Sequence, residues 1–233
     1  MIIRYSAIVD LSHEIHPGIP VWPGDPEVRI RPVASVEPDG YALHELTIGE
    51  HSGTHFGAPS HFHAEGMQAD AFGGDALVRA AVMIDVRGAV AGNPDYRLGR
   101  DDIGTWERTH GTIPPACVVL LCTGWSERWG EPGRYFNAGA GSPIGHYPGF
   151  APDAARFLAE ERGVAGLGID TLGIDAGTDT GCEVNGYWLR DGRFHLENLT
   201  NLHLLPSVGV TLFIGVLKIA GGTGGPARVL ALA

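Results

Sequence analysis

CVVLLCT, residues 117–123, is a short apolar run of β-branched and aliphatic residues that stops at Gly124. Its length and composition predict a strand buried inside a sheet, since a helix would need a longer periodic segment. Comparable runs between Gly and Pro residues follow the same reading: YALHELTIG at 41–49, AVMIDVR at 81–87, AGLGID at 165–170 and VGVTLFIGVLKIA at 208–220. Helices are fewer. DDIGTWERTH at 101–110 has Asp101 as an N-cap, and PDAARFLAEERG at 152–163 opens on Pro152 and closes on Gly163. Segments 88–100 and 130–150 read as loops, long enough to act as functional covers. The expected fold is a strand-rich α/β domain with few helices. With 233 residues and 44% apolar content it can bury a sizeable core, and it is read as a single domain over 1–233.

Composition removes several classes of function. The formal net charge is −11 and the 16 Lys+Arg are scattered, so no basic patch is expected for nucleic acid. No apolar run approaches the roughly 20 residues of a bilayer span, which argues against a membrane partner. The opening MIIRYSAIVDLSHEI is interrupted by Asp10 and His13, unlike a signal segment, so the expected location is cytoplasmic. Three cysteines, Cys117, Cys122 and Cys182, lack CxxC spacing and make an odd count, against a disulfide framework or a thiolate zinc site. Cys117 and Cys122 fall in an apolar run and read as packing residues.

HSGTHFGAPSHFH at 51–63 carries four histidines. Gly49, Gly53, Gly57 and Pro59 prevent a helix, so the segment reads as a turn-rich connection able to fold its imidazoles around one point. A catalytic zinc takes about three protein ligands from His, Asp or Glu and keeps one position open for water. His51 and His55 supply two. Glu197, in RFHLENLTNL, is an acid in a suitable context, although nothing in the residues alone ties it to the histidines. His195 lies two positions before it, on the same face of an extended backbone.

The sequence resembles the metal-dependent cyclase-like hydrolases that include bacterial kynurenine formamidase and isatin hydrolase. The resemblance rests on VDLSHEIHPGIPVWPGDP at 9–26, HSGTHFGAPSHF at 51–62, LLCTGW at 120–125, GIDTLGID at 168–175, HLENLTNL at 195–202 and LKIAGGTGGPAR at 218–228. It implies a swivelling β/β/α architecture, a homodimer or homotetramer, and cleavage of an amide, lactam or ester/lactone bond in a small, aromatic molecule by metal-activated water. By the same resemblance, His51, His55 and Glu197 are metal ligands, His61 is the general acid/base, and Trp22 lines the substrate pocket. Two positions depart from the family pattern HxGTHxDxPxHF and its distal histidine: Gly57 stands where the Asp is expected, and Asn185 where the histidine is. Those losses predict one divalent cation, zinc ahead of manganese, in place of a pair. His195 and Asn185 are then candidates to complete or orient the ligand set.

Asp170 and Asp175 read as organisers of the loop that follows them. GGTGGPAR at 221–228 lacks the lysine of a phosphate loop and reads as a tight backbone crossing. Two other functions share the pocket: a cyclase or dehydratase acting on a polyketide-like intermediate, and a catalytically silent ligand-binding homologue.

Overall fold

A computed structural model of the chain describes residues 5–233; residues 1–4, which begin the MIIRYSAIVDLSHEI stretch, lie outside them. The strands are β1 (Ile8–Asp10), β2 (Arg29–Ala34), β3 (Leu43–Thr47), β4 (His55–Gly57), β5 (Val78–Asp85), β6 (Arg97–Leu98), β7 (Val118–Cys122), β8 (Gly149–Phe150), β9 (Gly166–Ile169), β10 (Phe194–Glu197), β11 (Val210–Val216) and β12 (Gly224–Leu232). The runs read as strands at 41–49, 117–123, 165–170 and 208–220 hold β3, β7, β9 and β11, while the run at 81–87 overlaps β5, which starts three residues earlier at Val78 and ends at Asp85.

The main sheet runs β1-β12-β11-β5-β7-β9-β10-β4, and β4 pairs a second time with β12. That second pairing closes the sheet into a barrel. β1 and β4 share one edge of β12, β1 against Leu230–Leu232 and β4 against Gly224–Pro226. β5, β7, β9 and β10 are parallel to their neighbours in that series. β2 and β3 form a separate antiparallel hairpin.

Strand alternation divides the apolar residues between two cores. On β5 and β7, Ala81, Met83, Val118, Leu120 and Cys122 turn into the barrel, where they meet Phe56, Leu196, Leu212, Ile214 and Val229. Val82, Ile84, Val119 and Leu121 face outward and are covered by two helices, Arg100–His110 through Ile103 and Trp106, and Pro152–Glu160 through Phe157 and Leu158. Both faces of β7 are buried, as its uninterrupted apolar run requires. The first of these helices begins two residues earlier than an Asp101 N-cap would give: Gly99 is the N-cap, and the Asp102 carboxylate accepts from its backbone N–H at 2.9 Å. Asp101 therefore lies inside the first turn, where its charge opposes the helix dipole favourably.

Two segments depart from the sequence reading. Residues 55–57, expected as part of a turn-rich connection, are the short strand that seals the barrel. The crossing expected at 221–228 continues without interruption into β12, so Gly224, Gly225 and Pro226 are strand residues. The loops at 88–100 and 130–150 carry β6 and β8, which pair with each other in parallel.

Candidate active site

Phe56, Phe194 and Leu196 point into the barrel, so their neighbours on β4 and β10 point out of it on the same face. The register sets Glu197 opposite His55 and His195 opposite Gly57. His51 comes from the turn before β4. That turn is held by Gly53, whose φ of +66° suits glycine, and by two hydrogen bonds: Asn198 Nδ2 donates to the Gly53 carbonyl at 2.9 Å, and the Thr54 hydroxyl donates to the Asn198 carbonyl at 2.5 Å. A side chain at Gly224 would put its Cβ 2.4 Å from the Phe56 carbonyl oxygen and 2.6 Å from His51 Cε1. The β4–β12 seam and the seat of His51 thus both need glycine there. His61 follows on a single helical turn, Pro59–His61, and its ring stacks on His51 with centroids 3.7 Å apart.

Three imidazoles converge, each with one nitrogen engaged and the other bare. The Nε2 atom of His51 lies 3.0 Å from the Thr223 hydroxyl, which itself donates to Glu50 and so accepts from the ring. His55 Nδ1 donates to the Gly53 carbonyl at 2.9 Å, and His195 Nδ1 donates to Asn185 Oδ1 at 2.8 Å. These bonds leave lone pairs on His51 Nδ1, His55 Nε2 and His195 Nε2, all buried and without a hydrogen-bond partner among the described residues. One ligand atom from each of the three rings lies within 4.8 Å of the others. Buried polar atoms are ordinarily paired, and three orphaned acceptors facing one another fit a cation.

The electrostatics agree with ligation. Burial pushes the His51 ring down to about 2, with His55, His61 and His195 adding repulsion, and burial brings His195 to about 4. Both rings are therefore neutral near pH 7, the form a metal requires. Burial also lowers His61. Glu197 is desolvated, yet His195, His55 and the Ile174 N–H hold its carboxyl below the usual range. Its Oε1 accepts from Ile174 N at 2.8 Å, and its Oε2 lies 3.2 Å from His55 Nε2. The carboxylate thus flanks the cluster on the His55 side.

A cavity of about 240 Å³ opens over these groups, walled by Trp22, Phe62, Leu172, Cys182 and Asn185. Trp22 keeps 42% of its surface exposed on that wall. The walls come from 22–25, 172–173 and 182–185, not from the 130–150 loop. His63 is outside the site: its Nε2 contacts the Gly186 carbonyl at 3.1 Å. Asp170 and Asp175 act as loop organisers. Asp170 accepts from Thr123 and Gly124, while Asp175 accepts from the Val184 and Asn185 amides and so fixes the residue that orients His195. Sequence reasoning did not find the contact between His195 and Gly57. The available signal was a histidine two residues before the carboxylate together with the vacancy at 57.

Comparison with known proteins follows the same lines. The putative cyclase family model matches residues 9–176. Isatin hydrolase of Roseibium aggregatum is 35% identical over 97% of this chain and 91% of its own length. Kynurenine formamidase of Salinibacter ruber is 27% identical over 96% of each. A crystal structure of an isatin hydrolase bound to the product analogue thioisatinate superposes with a TM-score of 0.91 at 33% identity, covering 97% of this chain and 92% of that one. With the closed sheet, the helical cover and the histidine cluster already described, these similarities identify the chain as a member of the putative cyclase family and an enzyme of its cyclase-like hydrolase type.

Proposed function

We propose that residues 1–233 form one cyclase-like hydrolase domain that cleaves an amide, lactam or ester/lactone bond in a small aromatic molecule, using one divalent cation, zinc ahead of manganese. The observation that carries this reading is the set of bare, buried imidazole nitrogens facing one another beside the Glu197 carboxylate, with His51, His55 and Glu197 lining the cavity. His51, His55 and Glu197 would hold the cation. A divalent cation bound there would lower the pKa of a water to about 7 and polarise a carbonyl.

The chain's own groups supply the rest. His61 stacks against His51 at the cavity wall, and its lowered proton affinity keeps it neutral and ready to take a proton. It accepts that proton from the attacking water and returns it to the departing nitrogen or oxygen. A C–O bond to the carbonyl carbon forms, the C–N or C–O acyl bond breaks, and no electrons leave the system. Trp22 offers an indole face for a flat ring. Relatives named isatin hydrolase and kynurenine formamidase make an aromatic lactam such as isatin the first substrate to assay. In H₂¹⁸O, hydrolysis must leave one heavy oxygen in the product carboxylate. Turnover without incorporation would replace this reading with ring chemistry.

A homodimer or homotetramer accompanies this proposal. The β2–β3 hairpin presents Val33, Tyr41, Leu43 and Leu46 to solvent, each about half exposed or more. An apolar, unpaired hairpin of that kind favours a second copy of the chain. Light scattering of the purified protein at micromolar concentration tests it, and a monomer there would refute it.

A further inference from the structure

The proposed function leaves the part played by His195 open, and the geometry narrows it. His195 is buried in the site and lies directly across the β4–β10 ladder from Gly57. A Cβ built on Gly57 would fall 1.9 Å from His195 Nε2, 2.5 Å from Cδ2 and 2.7 Å from Cε1. The ring therefore fills the volume that any side chain at 57 would occupy, and its bare nitrogen lies where such a side chain would reach the cluster. Asn185 holds the ring there through Nδ1, and Asp175 holds Asn185 through two backbone amides.

We infer that His195 is the third imidazole ligand of a single metal site, joining His51, His55 and Glu197. It enters from β10 in place of a side chain on β4, and Gly57 is glycine because the imidazole needs its space. The inference rests on the proposed function for the presence of a cation, and it changes the character of the site. Three neutral imidazoles contribute no negative charge, so Glu197 is the one anionic member of the proposed ligand set, with Asp25 on the cavity wall. Two cations could not share so little charge at close range. Nitrogen-rich ligation also favours zinc or cobalt over manganese, which prefers oxygen ligands.

The test uses the full-length protein and measures metal content, zinc affinity by chelator competition, and the visible spectrum of the cobalt-substituted form. Wild type should bind one zinc per chain. His195→Ala should weaken zinc by more than the about 10- to 100-fold expected of a residue that only supports a ligand, and should alter the cobalt bands. His195→Asn serves as the second variant should alanine fold poorly, with thermal melting of the metal-free forms as the folding control. Gly57→Asp combined with His195→Ala should regain metal, with preference moved toward manganese. Zinc affinity and a cobalt spectrum unchanged in the His195 variants would overturn the inference while leaving the hydrolase reading intact. Loss of metal in those variants, with no ¹⁸O incorporation by wild type, would sink the hydrolase reading and leave the ligand assignment standing. A wild type that binds none of the three metals refutes both.

Discussion

Replacing Gly224 with alanine tests the link between barrel closure and the histidine cluster. The new Cβ would lie 2.4 Å from the Phe56 carbonyl oxygen, well inside the 3.0 Å that real Cβ contacts respect, and the obstacle is backbone. β4 and β12 must part by roughly 0.6–1 Å, which takes the flanking hydrogen bonds out of good geometry. Those bonds, Ala58 N to the Thr223 carbonyl and Ala227 N to the Thr54 carbonyl, are both 2.9 Å now. Overpacking costs about 1–3 kcal/mol and each of the two lost backbone bonds about 0.5–1.5 kcal/mol, so the variant should be less stable by about 2–6 kcal/mol. Urea denaturation of the metal-free protein reads that difference, and hydrogen exchange should show the Ala58 and Ala227 amides losing protection first. His51 Cε1, 2.6 Å from the same Cβ, must move as well, so metal affinity should fall in parallel. A cost below about 1 kcal/mol with protection unchanged would show that the seam tolerates a side chain.

His61→Ala should lower turnover by about 10²- to 10⁴-fold while metal content stays at the wild-type level; full activity in that variant would remove the proton-transfer role. Gly186→Ala offers an opposite sign: it sits in the Glu183–Trp188 helix with nothing within 4 Å of an added Cβ, so stability should rise by up to about 1 kcal/mol, read as a later urea midpoint. The Arg162 guanidinium donates to both oxygens of Glu107, at 2.6 and 2.8 Å, and holds its carboxyl below the usual carboxylate range. A depressed folded value means this stabilisation is full above about pH 4.5 and disappears as pH falls through the folded pKa. Glu107→Gln should therefore cost about 1–2 kcal/mol at pH 7 and progressively less in acid; an equal gap at pH 7 and pH 3 would contradict the assignment.

The strands with long apolar runs were legible because their partners hardly matter: CVVLLCT is buried on both faces whichever neighbours it takes. β4 was not legible. Three residues among glycines carry no local preference for strand, and pairing with β10 and β12 from distant parts of the chain decides their conformation. The same gap explains the site. His51 and His55 could be picked out as candidate ligands from the histidine-rich, glycine-bent loop, and Glu197 only through the family resemblance. His195 could be seen to share a face with Glu197, but its place beside Gly57 is a matter of register between strands about 140 positions apart, which no local pattern encodes. Asn185 looked like a lost ligand in the sequence. In the fold its side-chain oxygen accepts the His195 Nδ1 proton and so selects the tautomer with a free Nε2.

The double use of one edge of β12 orders events during biosynthesis. Residues 51 and 55 leave the ribosome early, but the turn that carries them has no partner on its open flank until 224–226 emerge. A nascent chain halted before that point could fold much of its helical cover and still could not seat His51. On the proposed function, metal capture would wait until residues 224–226 have been translated, and ribosome-bound fragments ending before them should stay uncharged.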